Sequence, residues 1–211
     1  MKQVREVQRR PANDRLSYRA GGFSLIELLI VVALMLILTT LFWSSGSAGR
    51  QRKLLTECQA NLQKIHVAME IYANEHAGRF PEAANARTSG AVLAGLVPHY
   101  TVDTAVFICP GSRDWALPAG EPFPNRKISY AYYMGRRAAN AQEILMSDAQ
   151  VDTGPKLAGE YVFSSSGKPP GNNHGKHGGN FLFCDGHAES CPARAPFPIM
   201  LTEGAVLLNP K

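Results

Sequence analysis

The first long pattern in the chain is an apolar run near the N-terminus. Residues 23–43 read FSLIELLIVVALMLILTTLFW and contain a single charged side chain, Glu27. A helix of this length, at 1.5 Å per residue, reaches about 31 Å, which matches the hydrocarbon thickness of a bilayer. The run therefore predicts one membrane-spanning helix.

A second apolar pattern follows, with the spacing of a half-buried helix. Positions recur at alternating intervals of three and four residues, as they do on one face of a helix, and six of the seven are apolar or sulfur-bearing. These positions are Leu55, Cys58, Leu62, Ile65, Met69, Tyr72 and His76. The segment from Gly78 to Pro81 ends the pattern, because glycine terminates helices and proline cannot continue them. We therefore expect the helix to extend to about residue 77.

After Pro81 the pattern changes to short apolar runs between turn-forming residues, which is typical of strands. The runs cover residues 105–109, 127–134, 143–147, 180–184 and 205–208. No amphipathic helix alternates with them, as a parallel sheet would require. We predict an α+β fold, in which one long N-terminal helix packs on a small antiparallel sheet. The expected divisions are a basic leader at 1–22, a membrane half of the helix at 23–43, a soluble half at 44–77 and a sheet domain at 78–211.

Charge is concentrated ahead of the apolar run. Residues 1–22 hold six basic and two acidic side chains, a net of +4 out of +5 for the whole chain. Basic residues before a spanning segment favour a cytoplasmic N-terminus, which places the rest of the chain where cysteines can oxidise. Residues 23–211 carry a net charge of only +1. We therefore expect no nucleic-acid partner, since such partners require a basic surface.

Glu27 separates three interpretations of the apolar run. A cleaved signal peptide would use residues 28–38 as its apolar region and residues 46–48 as its cleavage site. A plain membrane anchor would keep the whole segment. Neither accounts for a carboxylate in the run, which costs about 2.5–3.5 kcal/mol at mid-membrane and less towards the end. Glu27 therefore indicates a function beyond anchoring.

Residues 21–32, GGFSLIELLIVV, resemble the processing site of type IV pilins and of the pseudopilins of type II secretion systems. The resemblance implies that prepilin peptidase cuts after Gly22 and methylates the new N-terminal Phe23. It also implies that Glu27 faces the α-amino group of a neighbouring subunit, where the two charges offset each other's desolvation. The expected function is that of a structural subunit of a pilus-like filament or secretion pseudopilus. The alternative is a membrane-anchored extracytoplasmic binding module that does not polymerise.

The same resemblance sets the expected partners and location. The partners would be prepilin peptidase, other pilin or pseudopilin subunits, an inner-membrane assembly platform and membrane lipid. The protein would cross the bacterial inner membrane once, with its globular domain outside the cytoplasm, and would then enter a periplasmic or surface filament. We expect no enzymatic activity, since the serine-rich segment 164–168 has the spacing of neither a nucleophile elbow nor a phosphate loop.

Further segments resemble a large bacterial subfamily of pilin-like proteins. They are a C-x-x-N-L sequence from Cys58, G-x-F-P from Gly78, C-P at Cys109, S-Y-x-Y from Ser129 and D-G-H from Asp185. In that subfamily nine residues separate a histidine from the aspartate. Here ten residues separate His174 from Asp185, and seven separate His177 from it, so the element is a variant.

The four cysteines, Cys58, Cys109, Cys184 and Cys191, allow three disulfide pairings. Six residues separate Cys184 from Cys191, a spacing that suits a bridge across a hairpin, and Cys58 would then pair with Cys109. Each bridge would contribute about 2–4 kcal/mol of stability. A zinc site made of cysteines is not predicted, because the chain has no C-x-x-C pair and lacks zinc-ribbon spacing. Disulfides are favoured, with the pairing left open.

The segment containing His174, His177, Asp185 and His187 has the most suggestive chemistry. Imidazoles with a carboxylate suit zinc, whereas the carboxylate and neighbouring amide oxygens suit calcium. The simpler interpretation is a solvated glycine-rich loop closed by a hairpin turn, and it is favoured. We therefore expect no cofactor, and keep a calcium or zinc site at these four residues as a hypothesis.

Overall fold

The computed structural model describes residues 22–124 and 126–210, without the side chains of residues 43–48. The leader, apart from Gly22, lies outside the described residues. The chain divides into two compact units, with the boundary between Ser45 and Gly46. The predicted α+β arrangement is confirmed, because a long N-terminal helix is followed by a five-stranded antiparallel sheet.

Helix α1 spans Leu25–Glu75, close to the predicted bounds. In the first unit its residues Leu25–Phe42 have the length and composition of a membrane span, with a mean hydropathy of 2.8. Every one of these side chains is exposed. This apolar segment is therefore consistent with membrane anchoring.

In the second unit, α1 buries the middle of the predicted stripe, while Leu55 and Tyr72 are half-buried and His76 is exposed. Cys58, Leu62, Ile65 and Met69 are completely buried, whereas Gln63 and Lys64 between them face solvent. The helix ends in a six-to-one hydrogen bond, in which the backbone N–H of Gly78 donates to the carbonyl of Ala73 over 2.8 Å. Ala77 has a left-handed φ angle of 54°, as this type of helix end requires, and Gly78 follows with a φ of 74°.

The sheet has the strand order β4-β3-β2-β1-β5, and all its pairs are antiparallel. The strands are β1 (Tyr130–Met134), β2 (Ile144–Asp148), β3 (Gly179–Phe183), β4 (Ala188–Cys191) and β5 (Val206–Leu208). Four of the five predicted runs overlap β1, β2, β3 and β5, whereas β4 was not predicted. The run at 105–109 was wrongly predicted as a strand, because Thr104–Phe107 forms a 3-10 helix whose Phe107 ring packs 4.9 Å from that of Phe123.

Both faces of the sheet are covered. Strand β1 is almost wholly buried because its side chains alternate between two cores. Tyr130 and Tyr132 join the core that includes the α1 stripe, whereas Ala131 and Tyr133 join a second core with Phe163 and other residues from the loops. The sheet thus forms a layer between α1 on one face and the loops that carry Phe163 on the other.

Candidate functional site

Four buried side chains converge between α1 and the sheet. Cys58 lies on the buried stripe of α1, Cys109 follows the 3-10 helix Thr104–Phe107, Asp148 ends β2, and His174 lies in the loop before β3. Their exposed fractions are 0%, 1%, 1% and 4% in that order. One ligand-type atom from each lies within 4.8 Å of all the others. We call these residues the Cys-Cys-Asp-His cluster.

Local backbone structure brings the loop of His174 onto the turn that follows Cys109. The backbone N–H of Ser112 donates to the carbonyl of Cys109 over 2.9 Å and closes this turn. Gly111 lies so close to the loop that a Cβ atom there would stand 2.5 Å from Nδ1 of His174 and 2.8 Å from the carbonyl oxygen of Asn173. A residue without a side chain is therefore needed for the imidazole to reach the cluster.

The four side chains touch one another through atoms that carry lone pairs. Sγ of Cys58 lies 2.9 Å from Sγ of Cys109 and 3.1 Å from Oδ1 of Asp148. Nε2 of His174 lies 3.2 Å from Sγ of Cys109 and 3.6 Å from Oδ2 of Asp148. Together these distances describe a compact, four-cornered arrangement.

A surrounding layer of hydrogen-bond donors fixes the carboxylate. Oδ1 of Asp148 accepts from Nδ2 of Asn173 over 2.8 Å. Oδ2 accepts from the backbone N–H of Asn180 over 2.7 Å and from its Nδ2 over 3.1 Å. The backbone N–H of Gly111 donates to Sγ of Cys109 over 3.3 Å. Three donors therefore hold the buried carboxylate in one orientation.

The environment shifts the pKa values of the two thiols in opposite directions. Burial, followed by the contact with Cys109, raises the pKa of the Cys58 thiol well above its ordinary value. Burial also opposes ionisation of Cys109, but the hydrogen bonds with Cys58 and His174 outweigh it and lower the Cys109 pKa. Burial disfavours protonated His174, yet the Cys109 contact and the Asp148 charge raise its pKa overall. Cys109 is therefore the more acidic of the two thiols.

The structure does not bring the four residues of the hypothetical calcium or zinc loop together. His174 lies in the buried cluster, and His177 ends the exposed 3-10 helix Gly175–His177. Asp185 and His187 lie in the turn between β3 and β4, where Oδ1 of Asp185 is 2.6 Å from Nδ1 of His187. Among the residues that the structure describes, the grouping of ligand atoms includes only His174 of these four.

The disulfide predictions meet different outcomes. The sulfurs of Cys58 and Cys109 are adjacent, at 2.9 Å, although all four cysteines are free thiols in the structure. A bridge between Cys184 and Cys191 does not fit. Cys184 lies beside the β3–β4 turn, whereas Cys191 pairs with Gly179 at the far end of β3 and belongs to the other core. Five strand residues span about 17 Å, far beyond the reach of a disulfide.

Asp148 is the member of the cluster that sequence reasoning missed. It closes the otherwise apolar sequence ILMSD of β2, and its side chain is buried. A carboxylate at the end of a strand without a charged partner nearby in sequence is the signal that could have identified it. Asn180 donates to this carboxylate through both its backbone N–H and its Nδ2.

The N-terminal segment has a simple geometry. Gly22 and Phe23 precede α1, and the Phe23 side chain is 78% exposed. Glu27 lies in the first turn of α1, where the helix dipole stabilises negative charge, and it is also exposed.

Comparison with known proteins supports the interpretation of this segment. Residues 18–43 match a family model described as the prokaryotic N-terminal methylation motif. The match includes Gly22, Phe23 and Glu27, so the resemblance drawn from residues 21–32 is confirmed. Searches of curated proteins and of solved structures give no significant match. The variant element at Asp185 stays a prediction.

Proposed function

We propose that this protein is a structural subunit of a type IV pilus-like filament or a type II secretion pseudopilus. The observation that carries the proposal is the coincidence of the methylation motif at residues 18–43 with an apolar helix whose side chains at 25–42 are all exposed. A helix with an apolar surface on every side needs lipid or other apolar helices around it. Membrane insertion followed by helix bundling supplies both.

Processing would prepare the helix for assembly. Cleavage after Gly22 removes the basic leader and leaves Phe23 as a methylated N-terminus. Glu27 lies four residues further on, about one helical turn away. In a monomer within the bilayer its carboxylate is costly, whereas in a filament it pairs with the amine of the next subunit. The charge pair therefore favours one register between subunits.

The proposed topology follows from the leader. Its six basic residues hold the N-terminus in the cytoplasm, so the sheet domain lies on the other side of the inner membrane. The proposed partners are prepilin peptidase, further pilin-like subunits and the inner-membrane assembly platform.

Mass spectrometry of the N-terminal peptide tests the processing step, using protein isolated from its native membrane. The expected peptide begins at N-methylated Phe23. A chain that begins near Gly49 would mean ordinary secretion, and an intact Met1 would mean a simple anchor. Either result would overturn the proposal.

A glutamate variant tests assembly. Glu27→Ala should remove the protein from the sheared filament or pseudopilus fraction while leaving it in the membrane. Glu57→Ala is the matched control, because Glu57 is an exposed glutamate on the same helix within the second unit. Equal incorporation of both variants would contradict assembly through Glu27.

A cleft favours the alternative of an anchored binding module. It has a volume of about 840 Å³ and lies beside His174, between the loop at 165–177 and the ion pair of Lys127 with Asp114. Nζ of Lys127 lies 2.9 Å from Oδ1 of Asp114. Under this alternative Glu27→Ala leaves function intact, whereas substitutions in the cleft abolish it.

A further inference from the structure

The Cys-Cys-Asp-His cluster holds more hydrogen-bond acceptors than protons. The single S–H of Cys58 has three acceptors within reach, Sγ of Cys109 at 2.9 Å, Oδ1 of Asp148 at 3.1 Å and the hydroxyl oxygen of Tyr130 at 3.3 Å. Nε2 of His174 lies next to both a sulfur and a carboxylate oxygen. Electron-rich atoms packed this closely in a dry interior repel one another unless positive charge lies between them.

We propose that Cys58, Cys109, Asp148 and His174 bind one zinc ion. Cysteine sulfur, histidine nitrogen and carboxylate oxygen are the ligands of protein zinc sites, at about 2.0–2.3 Å from the metal. A tetrahedron of that size has edges of roughly 3.3–3.8 Å between ligand atoms. Three of the four contacts, at 3.1, 3.2 and 3.6 Å, lie at or close to this range. The sulfur–sulfur contact of 2.9 Å is shorter and would open on binding.

The surrounding residues fit a metal centre. Two thiolates and one carboxylate carry three negative charges, so a divalent ion leaves one unbalanced. Hydrogen bonds already in place stabilise this remaining negative charge. Asn173 and Asn180 donate to Asp148, and the backbone N–H of Gly111 donates to Cys109. Such outer hydrogen bonds are what orients the ligands in known metal sites.

The site is structural rather than catalytic. All four ligands come from the protein and are buried, which leaves no open position for substrate or water. Two sulfur ligands select zinc over calcium and magnesium, which take only oxygen. The ion would join α1, the turn after Cys109, the end of β2 and the loop before β3 at one point. This role is independent of filament assembly.

A disulfide between Cys58 and Cys109 is the competing state of the same two sulfurs. The test uses the full-length chain, purified in detergent from its native membrane without a chelator. Metal analysis should find about one zinc per chain, and alkylation of the unfolded, unreduced protein should modify all four cysteines. A chain without zinc that yields a Cys58–Cys109 disulfide peptide would overturn the proposal. Metal-free chains with free thiols should take up about one equivalent of added Zn²⁺, and failure to do so would also overturn it.

Cobalt identifies the ligands. Co²⁺ bound to the purified chain should give a thiolate-to-metal charge-transfer band and the visible bands of a tetrahedral centre. Cys109→Ser and His174→Ala should weaken or shift these bands. Cys184→Ser, a buried cysteine outside the cluster, and His177→Ala, an exposed neighbouring histidine, are the matched controls.

A further variant covers the case in which ligand removal prevents folding. His174→Cys keeps four ligands and adds a third thiolate, so zinc should be retained and the cobalt charge-transfer intensity should rise by about half. Unchanged intensity in a folded His174→Cys protein would show that this residue does not bind the metal.

Discussion

The two halves of helix α1 place the same kind of side chain in opposite environments. Leu34 in the first half is 53% exposed, whereas Leu62 in the second is completely buried. The first half is apolar on every side, and the second is apolar along one stripe only. The stability of the first half therefore depends on the molecules that surround it. The stability of the second half depends on its packing against the sheet of the same chain. Periodicity, not hydrophobicity, distinguishes the two roles.

Truncating one leucine in each half tests this division most strongly. Leu62→Ala should lower the free energy of unfolding by about 2–5 kcal/mol, because it leaves a cavity in the core. Leu34→Ala should change it by less than about 0.5 kcal/mol. Chemical unfolding of the full-length chain in detergent, followed by near-ultraviolet circular dichroism of the buried tyrosines, gives both values. Equal losses would mean that the two halves are not energetically separate.

Substitutions at two glycines test how closely the second half of α1 packs against the rest of its unit. Gly186 and Gly159 have nearly identical φ angles, 88° and 89°, but a Cβ at Gly186 would lie 2.8 Å from the His66 ring, whereas Gly159 has open space. Gly159→Ala should cost about 1–2 kcal/mol from backbone strain alone. Gly186→Ala should cost about 1–3 kcal/mol more, because it also overpacks the contact with α1. The same unfolding measurement applies, and equal costs would contradict the close approach.

Two histidines on the second half distinguish its buried face from its exposed one. Nε2 of His66 lies 3.0 Å from the carbonyl oxygen of Cys184, and the ring is buried, whereas His76 is exposed. His66→Ala should destabilise the protein by about 1–3 kcal/mol, because that carbonyl loses its partner. His76→Ala should stay within about 0.5 kcal/mol of the parent. If His76→Ala lowered the melting temperature more than His66→Ala, the assignment of the buried face would be wrong.

The smallest effect is expected at the end of α1. The hydroxyl of Tyr100 donates to Oε2 of Glu75 over 2.8 Å, and this hydrogen bond raises the pKa of Tyr100. A raised folded-state pKa stabilises the protonated form, so the contribution is present below about pH 10 and is lost as the pH rises through the folded pKa. Glu75→Gln should move the Tyr100 titration to lower pH in an NMR measurement with ring-labelled tyrosine. An unchanged titration would mean that the hydrogen bond does not form.

Much of the fold was predictable because periodicity reports burial locally. The stripe through Leu62 predicted the second half of α1, and the apolar runs predicted β1, β2, β3 and β5. Strand β4 was missed because its sequence, AESC, is largely polar and mostly exposed at the sheet edge. The apolar run at 105–109 misled for the opposite reason, since a short buried 3-10 helix has the same composition as a strand.

The cluster was only partly predictable. The pairing of Cys58 with Cys109 was predicted only as what remained after a Cys184–Cys191 bridge, which the structure does not fit. Asp148 and His174 reach the cysteines through tertiary structure. The contact between Cys58 and Asp148 joins residues 90 positions apart, and that between Cys109 and His174 joins residues 65 apart. No spacing rule relates such positions, because strand order and loop paths decide them.

These sequence separations also determine when the cluster can form during synthesis of the chain. The earliest member of the cluster is residue 58 and the last is residue 174, so ribosomal synthesis must pass the loop before β3 before the four can meet. Until then the stripe of α1 lacks β3, the strand that carries Leu182 into its core. A chain halted before His174 would thus leave part of the apolar stripe uncovered, which is the kind of surface that proteases and chaperones recognise. The cluster can therefore close only late in synthesis, when β3, β4 and β5 are the strands still to be added.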